Sequence, residues 1–179
     1  MNKDEKRQAR ILALQMFFSY EQQNFEGDIR DVFNEIAGLD EIDDDSKSDD
    51  LAFVTGEVLE VVRVVADSPA QLSDEAKKYA FDIAQFTAEN RERIDRILST
   101  RTQNWAFDRL GAVDRNLLRI AIAEFDKKFD APVKVVMNEA IEIAKVFGSD
   151  DSAKFVNAIL DKVKLVKVKK EEKKKQKQE

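Results

Sequence analysis

Four cations open the chain at helical spacing, Lys3, Lys6, Arg7 and Arg10, and three aromatic residues, Phe17, Phe18 and Tyr20, follow within three turns. Lysine and arginine hold phosphate oxygens, and aromatic rings are surfaces on which unpaired bases stack, so the combination suits single-stranded RNA. A plainer reading competes with it: the cations solubilise a helix and pair with Asp4 and Glu5, and the rings belong to a core. The 3.6-residue period makes core the plain reading of both Phe17 and Phe18 and decides it for Phe17; Phe18 and Tyr20 stay as stacking candidates, Tyr20 being the more exposed of the two. Enzyme chemistry is poorly served. The 179 residues include no His and no Cys, which removes imidazole and thiolate catalysis, Ser-His triads, disulfides and structural zinc. The 36 acidic residues fall on polar helix faces and in a loop, with no pattern that brings two carboxylates into one apolar pocket. No catalysis, cofactor or metal is expected.

The formal charge of −6 argues against a nucleic-acid partner only if it is spread evenly. It is not. Residues 1–10 set four cations against Asp4 and Glu5, a net of +2, and residues 162–179 set nine lysines against three glutamates, a net of +6. The stretch between them therefore carries −14, and residues 21–50 alone supply −10, from twelve acidic side chains against Arg30 and Lys47. Charges tens of ångströms apart do not cancel, because the Debye length is about 8 Å at physiological salt. The lysine-rich end reads as a solvated, disordered tail, with an auxiliary phosphate-attracting arm as the alternative.

The elements that must position these residues are helical throughout; five Gly and two Pro leave little room for a loop-rich β fold. One helix is expected from about Asp4 to Gln22, with Ile11, Leu14 and Phe18 inward, and a second from Ile29 to Ala37, ended by Gly38. The acidic run Asp40 to Asp50 reads as an exposed loop, and Leu51 to Ala66 as a valine-rich helix closed by Pro69. From an N-cap at Ser73 a helical pattern reaches Leu98 with a break near Asn90. A turn at Gly111 leads into a strongly buried helix marked by Leu118, Ile122, Phe125 and Phe129. Pro132 suits the first turn of the next helix, whose Val136, Ala140, Ile143 and Phe147 face inward and which Gly148 ends. Ser149 is the expected cap of a last helix buried through Phe155, Ile159, Val163 and Val166. No window of about 20 apolar residues spans a membrane, and the absence of Cys suits a reducing, cytoplasmic setting.

Asn104-Trp105, Arg109-Leu110, VDRNLLRIAIAEF at Val113 to Phe125, APVKVVMNEAIEIAKVFG at Ala131 to Gly148 and SAKFVNAILDKV at Ser152 to Val163 agree in type, order and separation with the NusB family of bacterial transcription antitermination factors. The opening KRQARILALQMFFSY, Lys6 to Tyr20, is similar to that family's first helix. The resemblance implies an all-α fold of two small helical bundles packed together, about seven helices, here divided as 1–99, 100–166 and a disordered basic tail 167–179. It implies binding of boxA-type RNA in ribosomal RNA leaders, pairing with the ribosomal protein NusE, and entry into an antitermination complex on RNA polymerase. It also implies roles for single residues. Asp151, Lys154 and Phe155 match a family loop close to the RNA, Asp114 and Arg115 match the NusE-facing start of a helix, and at Phe18 the family commonly carries tyrosine. Trp105 is expected to anchor packing between the bundles. Two other functions compete: the RNA-docking domain of a ribosomal RNA methyltransferase, disfavoured because only a lysine-rich stretch follows Val163, and a helical protein-interaction module without RNA.

Overall fold

The computed structural model describes residues 1–38, 72–102, 110–127 and 131–175. The acidic run 40–50, the valine-rich segment 51–66, Trp105 and Phe129 lie outside the described residues. Within them the chain forms seven helices and no strand: α1 (Lys3–Gln22), α2 (Ile29–Gly38), α3 (Asp74–Glu89), α4 (Arg91–Ser99), α5 (Ala112–Lys127), α6 (Val133–Phe147) and α7 (Ser152–Lys175). They group into two compact units, Met1–Glu89 and Asn90–Glu179. The expected break near Asn90 coincides with the division between these units.

In the first unit α1 packs chiefly on α3, with α2 touching both. Ala9 and Ala13 on α1, and Ala76, Ala80 and Ala84 on α3, are all fully buried. Small residues one turn apart on both helices let the backbones come close, and Leu12, Met16, Phe17 and Ile83 fill the space beside them. Asn2 starts α1 by accepting from the Glu5 N–H at 2.8 Å while the Glu5 carboxylate accepts the Asn2 N–H at 2.9 Å, a reciprocal capping box. The same backbone bond holds the Glu5 carboxyl below its ordinary value. Ser73 caps α3 as expected, accepting from the Ala76 N–H at 3.3 Å. Beyond α1 the chain turns through left-handed conformations at Asn24, Phe25 and Gly27. An aromatic residue enters that region only when packing compensates the strain; here the Phe25 ring lies 5.5 Å from Tyr20 and 5.9 Å from Phe17.

In the second unit α5 is the central helix, with every residue from Asn116 to Phe125 buried. A helix buried on all sides must satisfy its polar members internally. Arg119 does so with a fork: Nε and Nη2 donate to the two carboxylate oxygens of Asp95 at 2.7 and 2.8 Å, and Nη1 donates to Asn116 Oδ1 at 2.8 Å. That fork, with buried Ile94 and Leu98, ties α4 to the second unit, which is why the boundary lies before α4. Pro132 stands at the cap position of α6, one residue ahead of the expected first turn; its extended ψ of 142° aims its carbonyl at the N–H groups of Val135 and Val136. Phe147 is only half-buried, so the inward stripe of α6 stops at Ile143.

Gly148 ends α6 with an ordinary negative φ, so conformational freedom is not why glycine is there. Space is. A Cβ at this position would overlap the Cβ and Oγ of Ser152 and come within 2.8 Å of the Ala144 carbonyl oxygen. Gly148→Ala is therefore expected to destabilise the protein by about 1–3 kcal/mol, the usual cost of forcing atoms into a filled site. Thermal melts check this, and an unshifted midpoint would show that the turn relaxes freely.

The last helix, α7, runs from Ser152 to Lys175. The sequence from Ser152 to Lys175 contains neither Gly nor Pro, and its Lys and Glu are good helix formers.

Candidate nucleic-acid interface

The first two turns of α1 carry the cations, and the structure sorts them. Lys3 is exposed, and Lys6 and Arg7 are partly so. Arg10, expected on the exposed stripe with them, is 3% exposed. Its guanidinium donates to the Lys6 carbonyl at 3.3 Å and to the Tyr79 hydroxyl at 3.2 Å, and lies 5.7 Å from the Tyr79 ring centroid. The cause is the α1–α3 crossing: the cationic stripe runs from solvent into the contact, and position 10 is where α3 arrives. Arg10 thus braces the surface that Lys3, Lys6 and Arg7 present. The N-terminal amine, 3.2 Å from the Glu75 carboxylate, fixes the start of the same helix to α3.

The aromatic candidates separate as well. Phe17 is fully buried, as its period requires. Tyr20 is half-buried, its ring standing edge-on to Phe25 and its hydroxyl donating to the Gly27 carbonyl at 3.3 Å. The aromatic expected to be more exposed is thus built into the turn after α1. Phe18 is also half-buried. Eleven residues beyond Arg7, it returns to within about 20° of the same helix face, about 16 Å along the axis. Lys3, Arg7 and Phe18 therefore lie along one side of one helix, with Lys6 on its flank.

In the second unit the turn from Gly148 into α7 holds Asp151 and Lys154, both exposed, with Lys154 Nζ 3.7 Å from Asp151 Oδ1. Phe155 behind them is half-buried. The expected Ser149 cap is replaced by a different arrangement centred on Ser152, which is buried. Ser152 Oγ accepts the Ser149 N–H at 2.8 Å and lies 3.1 Å from Ser149 Oγ, and its hydroxyl bonds to the Asp114 carboxylate. Either hydroxyl can donate in the Ser149–Ser152 contact. Asp114, in the first turn of α5, and the 149–155 turn are thereby brought together. Arg115 is half-buried and donates to the Leu110 carbonyl at 2.8 Å, so part of its donor capacity closes the turn before α5. Neither Ser152 nor Tyr79 was distinguishable from sequence: Tyr79 reads as one more apolar-face residue and Ser152 as one more polar helix start.

Burial raises the Asp114 carboxyl above its ordinary value, and the Ser152 hydrogen bond acts in the opposite direction. One of its oxygens, Oδ1, is buried with no hydrogen-bond partner. A carboxyl that holds its proton more tightly when folded favours folding at low pH and loses that advantage as the pH rises through the carboxylate range to its raised pKa. Asp114→Asn keeps an acceptor for Ser152 and has no charge to desolvate. It is expected to stabilise the protein modestly at neutral pH and to flatten this part of the pH dependence; parallel stability curves for the two proteins would refute it.

Among the described residues no three or more acidic side chains are grouped as metal ligands, and no helix is long and apolar enough to cross a membrane. The model of the NusB family matches residues 47–165. The transcription antitermination protein NusB of Trichlorobacter lovleyi is 36% identical over 158 residues, covering 88% of this chain and 89% of its own. That of Myxococcus xanthus is 37% identical over 109 residues, 61% of this chain and 78% of the relative. Among solved structures, T. maritima NusB is 28% identical with a TM-score of 0.63, covering 88% of this chain and 89% of that one. The NusB of a complex of antitermination factors NusB and NusE with dsRNA shares the fold, at 19% identity and a TM-score of 0.64 over 90% of this chain and 97% of that one.

Proposed function

The chain belongs to the NusB family, and from that premise we propose that it is a non-enzymatic, cytoplasmic transcription antitermination factor that binds single-stranded boxA-type RNA together with NusE. In this role it joins the antitermination complex on RNA polymerase. The observation that carries the reading is the first helix: Lys3, Lys6 and Arg7 reach solvent from turns whose geometry is set by the Asn2–Glu5 capping box and by buried Arg10. Rigid presentation matters because a bound strand must order fewer protein groups, which spares the entropy cost of binding. Lys3, Lys6 and Arg7 contact phosphates and Phe18 supplies a base platform. Tyr20 and Arg10 support that surface from behind. Asp151 holds Lys154 at the second contact surface, where Phe155 lends a ring edge, and Asp114 and Arg115 face NusE.

Anisotropy of labelled boxA RNA, against a scrambled strand and with or without NusE, tests the reading. Binding is expected to weaken with salt, at a slope of about −0.7 per phosphate contact, so roughly −2 for three contacts in the first helix alone. NusE should tighten RNA binding, and RNA should tighten NusE binding by the same factor, because the coupling is reciprocal. No binding at low salt, or equal affinity for boxA and scrambled RNA in the presence of NusE, would overturn it.

A further inference from the structure

Helix α7 buries Val156, Leu160 and Val163 in the second unit, at spacings of four and three. The same alternation carried forward, four, three and four, lands on Lys167, Lys170 and Lys174, and the backbone remains helical through Lys175. One helix register therefore changes from core to cation with no break in the helix. Val163 to Lys175 spans about 18 Å at 1.5 Å per residue, long enough to present several charges in a row. The off-register lysines, Lys164, Lys169 and Lys175, have Cα positions turned away from the Lys167–Lys170–Lys174 line, as has Glu172, while Glu171, four residues after Lys167 and three before Lys174, borders the line and offsets one charge of it.

We infer that this extension of α7 is an auxiliary RNA-binding rod whose 167–170–174 register takes phosphates of the strand outside the recognised element. The inference rests on the RNA-binding reading above and deepens it. Phosphate is the favoured partner because residues 164–179 contain no Phe, Tyr or Trp and no Arg: nothing there can stack on a base or fork onto a base edge, whereas lysine is a compact point charge suited to backbone oxygens. Contacts of this kind carry affinity and salt dependence but no sequence preference.

The test compares full-length protein with two charge-matched variants, Lys167→Gln/Lys170→Gln/Lys174→Gln in the register and Lys164→Gln/Lys169→Gln/Lys175→Gln off it, on boxA RNA with a single-stranded flank. Glutamine keeps helix propensity, so circular dichroism should be unchanged in both. The in-register variant is expected to have a salt slope smaller by about 2, from three phosphate contacts, with the boxA-over-scrambled ratio unaltered. The off-register variant should lose clearly less. Equal losses in the two variants, an unchanged slope in the first, or a rise in RNA affinity, as would follow if the rod instead engaged the acidic residues 40–50, each overturns the inference. Binding that survives the in-register change with its slope intact, yet fails on charge reversal in α1, rejects the rod while leaving the RNA-binding reading in place; failure of the full-length protein to bind RNA at all rejects both.

Discussion

Simultaneous reversal of Lys3, Lys6 and Arg7 to glutamate is expected to lower boxA affinity about a hundredfold or more at physiological salt. Each single-stranded phosphate contact is worth about 0.6 log units there, from a slope of 0.7 per contact, and reversal adds repulsion to the loss of three. The helix itself should persist, since the capping box through Asn2 and Glu5 and the Arg10–Tyr79 contact are untouched. Circular dichroism should match the unaltered protein. Arg10 does not belong in this set. Arg10→Glu would place an acid in the α1–α3 contact against Tyr79, and its loss of binding would report unfolding of the first unit. Undiminished boxA affinity in the triple variant would place the RNA on another surface.

The largest stability effect is expected at Asp95. Its carboxylate is the bidentate partner of the Arg119 guanidinium, whose side chain is 4% exposed. Removing one member of a buried pair strands the other's charge, at a cost of about 3–5 kcal/mol. Asp95→Ala should therefore lower the melting midpoint by about 10 °C or more, given roughly 4–8 °C per kcal/mol for a unit of this size. The control is Asp95→Leu with Arg119→Met, which replaces the pair by apolar side chains and should recover most of the loss, since such replacements are often neutral. If Asp95→Ala melts as the unaltered protein does, water reaches the guanidinium and the fork is not a buried pair.

Helix positions were legible because the apolar repeat is strong: α1, α2 and α6 begin and end within a residue or two of where periodicity and capping residues put them. What one helix pattern cannot express is which neighbour crosses it and where. Lys3, Arg7 and Arg10 share one spacing, yet Arg10 is the one that is buried, against Tyr79 of α3. Tyr20 and Phe18 are equally aromatic, yet the left-handed turn through Phe25 brings a carbonyl and a ring to Tyr20. Ser152 needed knowledge that Gly148 leaves room for its side chain beneath the turn and that Asp114 lies within reach.

The bond between Arg10 and Tyr79 joins residues 69 apart in the chain, and this separation has a consequence during synthesis. A chain emerging at roughly 5–20 residues per second exposes α1 for about 3 to 14 seconds before α3 exists to receive it. Most of the packing within the second unit, by contrast, is between successive helices that can associate as they appear. The cationic surface of α1 is therefore made well before the helix that braces it, and a nascent chain carries Lys3, Lys6 and Arg7 for seconds without the Arg10–Tyr79 contact behind them.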